Sequence, residues 1–197
     1  MVGWIVIGSA IAGVALLAWV ASVYNRLVTM RQRQLNAFAQ IDVQLKRRHD
    51  LIPNLVETVK GYMAHERETL TAVTAARNAA AEATARAAAD PRDSAAVLAA
   101  AGAENQLLAA LQRFMVLKEA YPDLKADQQA GRLMEELAST ENRVAFARQA
   151  YNDAVTTYNA ERLKFPHSLV ANAARFEEAA LFRIDDARER ELVEVKL

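Results

Sequence analysis

The chain has 197 residues, no cysteine, and 24 basic against 24 acidic side chains, so its formal net charge is zero. That balance argues against a general electrostatic partner such as nucleic acid, and the absence of cysteine excludes disulfides and thiolate chemistry. Once an apolar start is set aside, roughly 170 residues remain, enough for one domain with a core of its own.

Residues 2–23 hold no charged side chain. As a helix they span about 33 Å, one bilayer core. A signal peptide fits less well, because no cationic segment precedes the run and its length exceeds the roughly 7–15 residues of a signal h-region. Trp4 and Trp19 lie near its ends and Tyr24 just beyond, where amphipathic rings favour the membrane–water interface. Gly8, Ser9, Ala12 and Gly13 supply small residues at four-residue spacing, through which two anchors can pack closely. Arg26, Arg31 and Arg33 follow with no acid before Asp42. The positive-inside rule then predicts a single-pass protein with its N-terminus outside and its C-terminal domain cytoplasmic.

From residue 24 to 49 an apolar stripe (Leu27, Val28, Leu35, Phe38, Ile41, Leu45) recurs at helical spacing, with no Gly or Pro to separate it from the anchor. One helix is therefore expected to leave the membrane and enter the domain. Lys46-Arg47-Arg48 then runs into Asp50 and Pro53. Cations suit a helix C-terminus and Asp an N-cap, so Asp50 and Pro53 are read as a structural corner between two helices. The competing reading carries the first helix straight through Pro53 with a kink, as one rod to Ala88. With the corner, a second helix covers 51–89 and ends at Asp90-Pro91; a third, capped by Asp93 or Ser94, ends near Ala120; a fourth runs from about 126 to 163 and stops at Phe165-Pro166. No alternating β-branched run precedes the tail. The fold class expected is thus all-α: a transmembrane anchor (1–23), an antiparallel up-down four-helix bundle (24–165), and a short helical or irregular docking tail (166–197) that frays beyond Arg188.

Motifs for chemistry are thin. His65-Glu66-Arg67-Glu68-Thr69 opens like a zinc-protease helix but lacks the second histidine four residues on. Only His49, His65 and His167 occur, and no Gly-rich phosphate loop or GxSxG is present. No catalytic residue, cofactor, metal or small-molecule substrate is expected. Arg48 lies 22 residues beyond Arg26, about 33 Å from the interface and beyond a Debye length of about 8–10 Å. Lys46, Arg47 and Arg48 are therefore read as helix-end cations paired with acids and open to a neighbouring subunit or partner. Tyr151-Asn152 and Tyr158-Asn159 repeat at seven residues on one helix face. Their rings are expected in the core, with hydroxyls and amides satisfying one another; a ligand site is the other option.

These residues add up to a resemblance. Tyr24-Asn25 with Leu27-Val28, the whole of 41–61 (IDVQLKRRHDLIPNLVETVKG), His65-Glu66, Tyr121-Pro122-Asp123-Leu124-Lys125, Thr140-Glu141-Asn142 and the two Tyr-Asn pairs resemble the LemA family of bacterial membrane proteins. The pattern departs at Phe38, where relatives usually carry tryptophan, in the alanine-rich segment, and at Val195-Lys196-Leu197. The resemblance implies a single N-terminal span in the bacterial inner membrane, an outside N-terminus, a helical bundle, and no enzymatic activity or cofactor to carry over. Some relatives are connected with membrane remodelling, including magnetosome membranes. The leading expectation is a non-catalytic scaffold, associated with the lipid bilayer, that self-associates as a homo-oligomer and organises membrane. The alternatives are a monomeric adaptor for a membrane protease or signalling protein, and a metal-dependent hydrolase using His65, Glu66 and Glu68.

Overall fold

A computed structural model describes residues 1–183, and among them every regular element is helical. Helix α1 spans Val2–Val59, 58 residues without a break, about 87 Å at 1.5 Å per residue. Anchor and first domain helix are one element, as expected. The anchor residues up to 18 stand exposed, and burial begins at Val23 and Leu27. Farther on, with His49 buried beside them, the seam positions are Gln34, Phe38, Ile41, Leu45, Arg48, Ile52, Leu55 and Val59. Their intervals alternate four and three, the seam of a heptad pattern.

The corner at Asp50 and Pro53 is absent, and α1 passes straight through it. Two causes are visible. The heptad seam continues unbroken from Leu45 through Arg48 to Ile52, so burial favours one straight face. Pro53 lacks the N–H that would bond to the His49 carbonyl, but the Arg77 Nε of the next helix donates to that carbonyl at 2.8 Å. Asp50 caps nothing; it is exposed, with its carboxylate 3.9 Å from the Arg77 guanidinium. The chain instead reverses over residues 60–66, which include Gly61. The single rod to Ala88 is likewise not formed. If Arg77 substitutes for the missing amide, Arg77→Met should cost about 1 kcal/mol of stability. In a Pro53→Ala background the cost should shrink, because residue 53 then bonds the carbonyl itself; comparing the two melting temperatures checks this.

Helix α2 (Arg67–Ala89) buries mostly alanine beyond Val73, which lets its neighbours approach closely. It ends before Asp90-Pro91, as the sequence indicates. Helix α3 (Ser94–Leu117) is capped by Asp93, whose carboxylate accepts the Ala95 and Ala96 N–H groups at 2.9 and 3.2 Å. A 3-10 turn (Lys118–Ala120) and a short α4 (Pro122–Ala126) follow. Helix α5 (Gln128–Leu163) begins after Asp127, which accepts the Ala130 N–H at 2.8 Å. After Pro166, α6 (His167–Ala173) forms one short helix. Residues 174–183 continue without helix and bury Phe176, Ala179 and Phe182. Residues 174–183 thus lie against the helices, while the expected fraying beyond Arg188 lies outside the described residues.

Helix α1 packs along α5 and α2, α2 along α3, and α6 against both α1 and α5. Pairs between α1 and α5 run in opposite order (Arg26 with Glu161, Phe38 with Tyr151, Arg48 with Glu141), so these two helices are antiparallel. Helices α1, α2, α3 and α5 share two apolar cores. The core toward the anchor holds Leu27, Phe38, Ile41, Leu45, Tyr151 and the tail aromatics. The distal core holds Ile52, Leu55, Val59, Leu107, Leu111 and Phe114.

Candidate functional site

Between the two cores lies a layer of buried polar side chains. Arg48 occupies a seam position of α1 with 0% of its surface exposed. Its guanidinium donates through Nη2 to the Glu104 carboxylate of α3 and through Nη1, at 2.5 Å, to Glu141 of α5. His49 Nε2 lies 2.8 Å from Glu104 Oε1, and the Thr84 hydroxyl of α2 donates to the same oxygen at 3.0 Å. All four long helices thus meet at one carboxylate or its cation. Burial by itself pushes the Glu104 carboxyl up, but the His49 hydrogen bond, the Arg48 charge and Thr84 outweigh it and hold the group below the ordinary glutamate range. Burial likewise opposes the charge on Arg48, yet the Glu104 and Glu141 carboxylates raise its pKa above the ordinary value.

This overturns the reading of Lys46, Arg47 and Arg48 as a common surface cluster. Lys46 is on the surface, bonded to Asp42 at 2.6 Å, and Arg47 is there too, bonded to Glu136 at 2.7 Å. Arg48 is not, because the three-four alternation of α1 turns it inward. Neither the Arg48 nor the Glu104 side chain exposes any surface, so the pair meets no solute in this conformation. What it can do is fix register: four helices must align for the charges to pair.

A pH dependence follows. Because the folded-state value of Glu104 is depressed, its contribution is present above its unfolded value of about 4.3 and is lost as pH falls through the lower folded value. Melting temperature should drop steeply below about pH 4.3 in the parent chain, and part of that drop should vanish in Glu104→Gln.

The Tyr-Asn pairs form a second arrangement. Their rings are in the core as expected, Tyr151 against Phe38 at 5.7 Å between centroids. Their polar ends do not satisfy one another. The Asn152 amide donates to the Phe182 carbonyl at 3.2 Å and accepts the Phe182 N–H at 2.9 Å. Asn159 does the same for Ala179, at 2.8 and 3.1 Å. The Tyr151 and Tyr158 hydroxyls donate to the carbonyls of Ala180 and Glu177 at 2.9 and 2.8 Å. Seven residues of helix advance about 10.5 Å, and three residues of extended chain about 10 Å. The two pairs therefore clasp main chain three residues apart, independently of the side chains held.

Beside the apolar segment of α1, Trp19 lies 6.1 Å from the His167 ring and Tyr24 packs edge-on to Phe176 at 5.6 Å. Arg26 pairs with Glu161 at 2.9 Å, and the Arg31 guanidinium sits 4.1 Å above the Phe176 ring. Arg33 and Trp4 are exposed. Gly8, Ser9, Ala12 and Gly13 are also exposed, and a Cβ placed on Gly8 or Gly13 would touch nothing. At the far end, His65 is exposed, while Glu66 accepts the Tyr121 hydroxyl at 3.1 Å and Tyr62 donates to Asp127 at 2.8 Å. These bonds tie the α1–α2 reversal to the α3–α5 connection. Among the described residues no three His, Asp or Glu side chains gather where a metal ion could sit.

Comparison with known proteins places this geometry in context. A family model described as "LemA family" matches residues 37–197, which takes in the polar layer and the clasp. The magnetosome proteins MamQ 1 and MamQ 2 of Paramagnetospirillum magneticum (strain ATCC 700264 / AMB-1) are each similar at 26% identity over 207 residues, covering 96% of this chain and 75% of theirs. Magnetosome protein MamQ of Magnetospirillum gryphiswaldense is 26% identical over 194 residues, covering 88% of this chain and 70% of its own.

Proposed function

Because this chain belongs to the LemA family, we propose that it is a membrane-anchored, non-catalytic scaffold that self-associates and organises membrane, built as an up-down four-helix bundle on a single span. The observation that carries this reading is the unbroken α1, which joins an apolar segment long enough to cross a membrane to the core of the domain. A helix with no hinge transmits the anchor's position directly to the domain. The polar layer supports the same reading, since its groups are consumed by one another. The small residues of the anchor, exposed on the single chain, offer a packing face for a second copy. The cations after the span favour an outside N-terminus and a cytoplasmic domain in the bacterial inner membrane.

The similarity to magnetosome proteins adds a membrane setting without assigning a role. The test uses the lack of native cysteine. Single cysteines at Ala12 and at Val14, on opposite sides of the anchor helix, are compared in reconstituted vesicles under mild oxidation. Self-association through the small-residue face predicts a cross-linked dimer for Ala12→Cys and little for Val14→Cys; no dimer from either rejects that face.

One observation favours a monomeric adaptor as the second reading. An apolar groove of about 610 Å³ between α3 and α5 is lined by Leu108, Leu111, Met115, Val116 and Leu137. Affinity capture of a single stoichiometric membrane-protein partner, lost in Val116→Glu, would select the adaptor over the scaffold.

A further inference from the structure

The antiparallel pairing of α1 and α5 brings the end of α5 and all of α6 beside the membrane end of α1. There they overlap the anchor itself. A groove of about 710 Å³ runs between α1 and α6, lined by Leu16, Leu17, Val20, Leu169, Val170 and Ala173. The uncharged run extends to Val23, so α6 lies beside its last eight residues or so, about 12 Å of helix. An element lying in the membrane interface is buried to about 5–10 Å, the same scale.

The surface around that groove has the composition of an interfacial element. Leu163, Phe165 and Leu169 are 66%, 82% and 61% exposed, three large apolar side chains within seven positions. Phe165 lies two residues before α6 and Leu169 within it, and α6 contains no acid. Glu161, in the last turn of α5, is buried and faces Arg26, Lys164 and His167, at 2.9, 3.0 and 2.8 Å, while the exposed Glu178 is paired with Arg162 at 3.2 Å. The Arg26 and Lys164 side chains remain more than half exposed and can also reach phosphate oxygens. Trp19 and Tyr24 sit at the same level.

We propose that the base of the helical domain, formed by Leu163, Phe165, Leu169 and the groove between α1 and α6, is a lipid-binding surface seated in the headgroup–acyl boundary of the leaflet from which α1 emerges. The occupant is bilayer lipid: acyl chains lie on the three apolar side chains and in the groove, with headgroup phosphates near Arg26 and Lys164. The inference rests on residues 2–23 spanning the membrane, and it adds that the domain is held against the bilayer rather than lifted above it on a stalk. Only the part of α1 before Leu16 is then surrounded by lipid on every side.

The full chain serves for the test, since every introduced cysteine is unique. Single cysteines at Phe165 and Leu169 carry an environment-sensitive fluorophore in vesicles of phosphatidylcholine and phosphatidylglycerol. Phe146, exposed on α5 far from the base, is the water-facing reference, and Ile11 is the reference within the span. Doxyl-labelled lipid should quench positions 165 and 169 several-fold more than 146, and aqueous iodide should quench them less. If 165 and 169 match 146 while Ile11 is quenched by lipid, the base stands in water and the proposal fails with the anchor intact. If Ile11 also escapes lipid quenching, the anchor and the proposal fall together.

Discussion

Arg48→Met should lower the unfolding free energy by about 3–5 kcal/mol, the largest effect expected of any single change that keeps volume roughly constant. The substitution leaves Glu104 fully buried with no permanent cation beside it. For a chain of this size that corresponds to a fall in melting temperature of roughly 6–20 °C. The loss should come from the orphaned charge rather than from a large net gain of the pair. Arg48→Met combined with Glu104→Leu should therefore recover much of the stability, because replacing both members removes the desolvated charge. What the double variant should not recover is discrimination between registers, since an apolar layer pairs equally well when one helix slides. A double variant as unstable as Arg48→Met would show that the layer is held by something other than this pair.

Phe182→Ala should cost about 3–5 kcal/mol, because the ring is fully buried and its removal leaves a void beside Phe38 and Tyr151. Asn152→Ala should cost about 1–3 kcal/mol by a different route, stripping both main-chain partners from Phe182. Asn159→Ala should act on Ala179 in the same way. Limited proteolysis separates these effects from general unfolding: in either asparagine variant, cleavage after Arg175 or Arg183 should accelerate before the helices are cut. If both melting and tail cleavage stay as in the parent chain, the amides are not what holds the tail.

Much of the fold was legible from local chemistry. The uncharged start, the Asp90-Pro91 and Phe165-Pro166 breaks and the Asp93 cap are all decided within a few residues, and the helices end where those signals stand. The corner at Asp50 and Pro53 failed because its signals were local while the answer was tertiary. A proline in a helix leaves one carbonyl without a partner, and here a side chain 28 residues away supplies it. The periodicity nevertheless held the clue. Continued past Leu45, the three-four alternation lands on Arg48 and then on Ile52 and Leu55, which places a cation in the seam and a straight helix through Pro53. Helix α3 carries the matching clue, since Glu104 sits on the stripe of Val97, Ala100, Ala101, Leu107 and Leu111. A lone acid on one apolar stripe and a lone cation on another predict a buried pair; reading charge runs as surface features concealed it.

The clasp shows a different limit. The seven-residue Tyr-Asn repeat marked one helix face, and the rings pack as that face requires. The partner of the amides, however, is main chain from the tail, and a backbone carries no sequence signature. In the structure the burial of Phe176, Ala179 and Phe182 marks where that main chain lies.

The scaffold account stands on self-association, and the mass of the full chain in lipid nanodiscs of native-like composition tests it most directly. The account predicts particles holding two or more copies of the 21.7 kDa chain across a range of loading ratios. A strictly single copy per disc, unchanged as the ratio of chain to lipid rises, would contradict it.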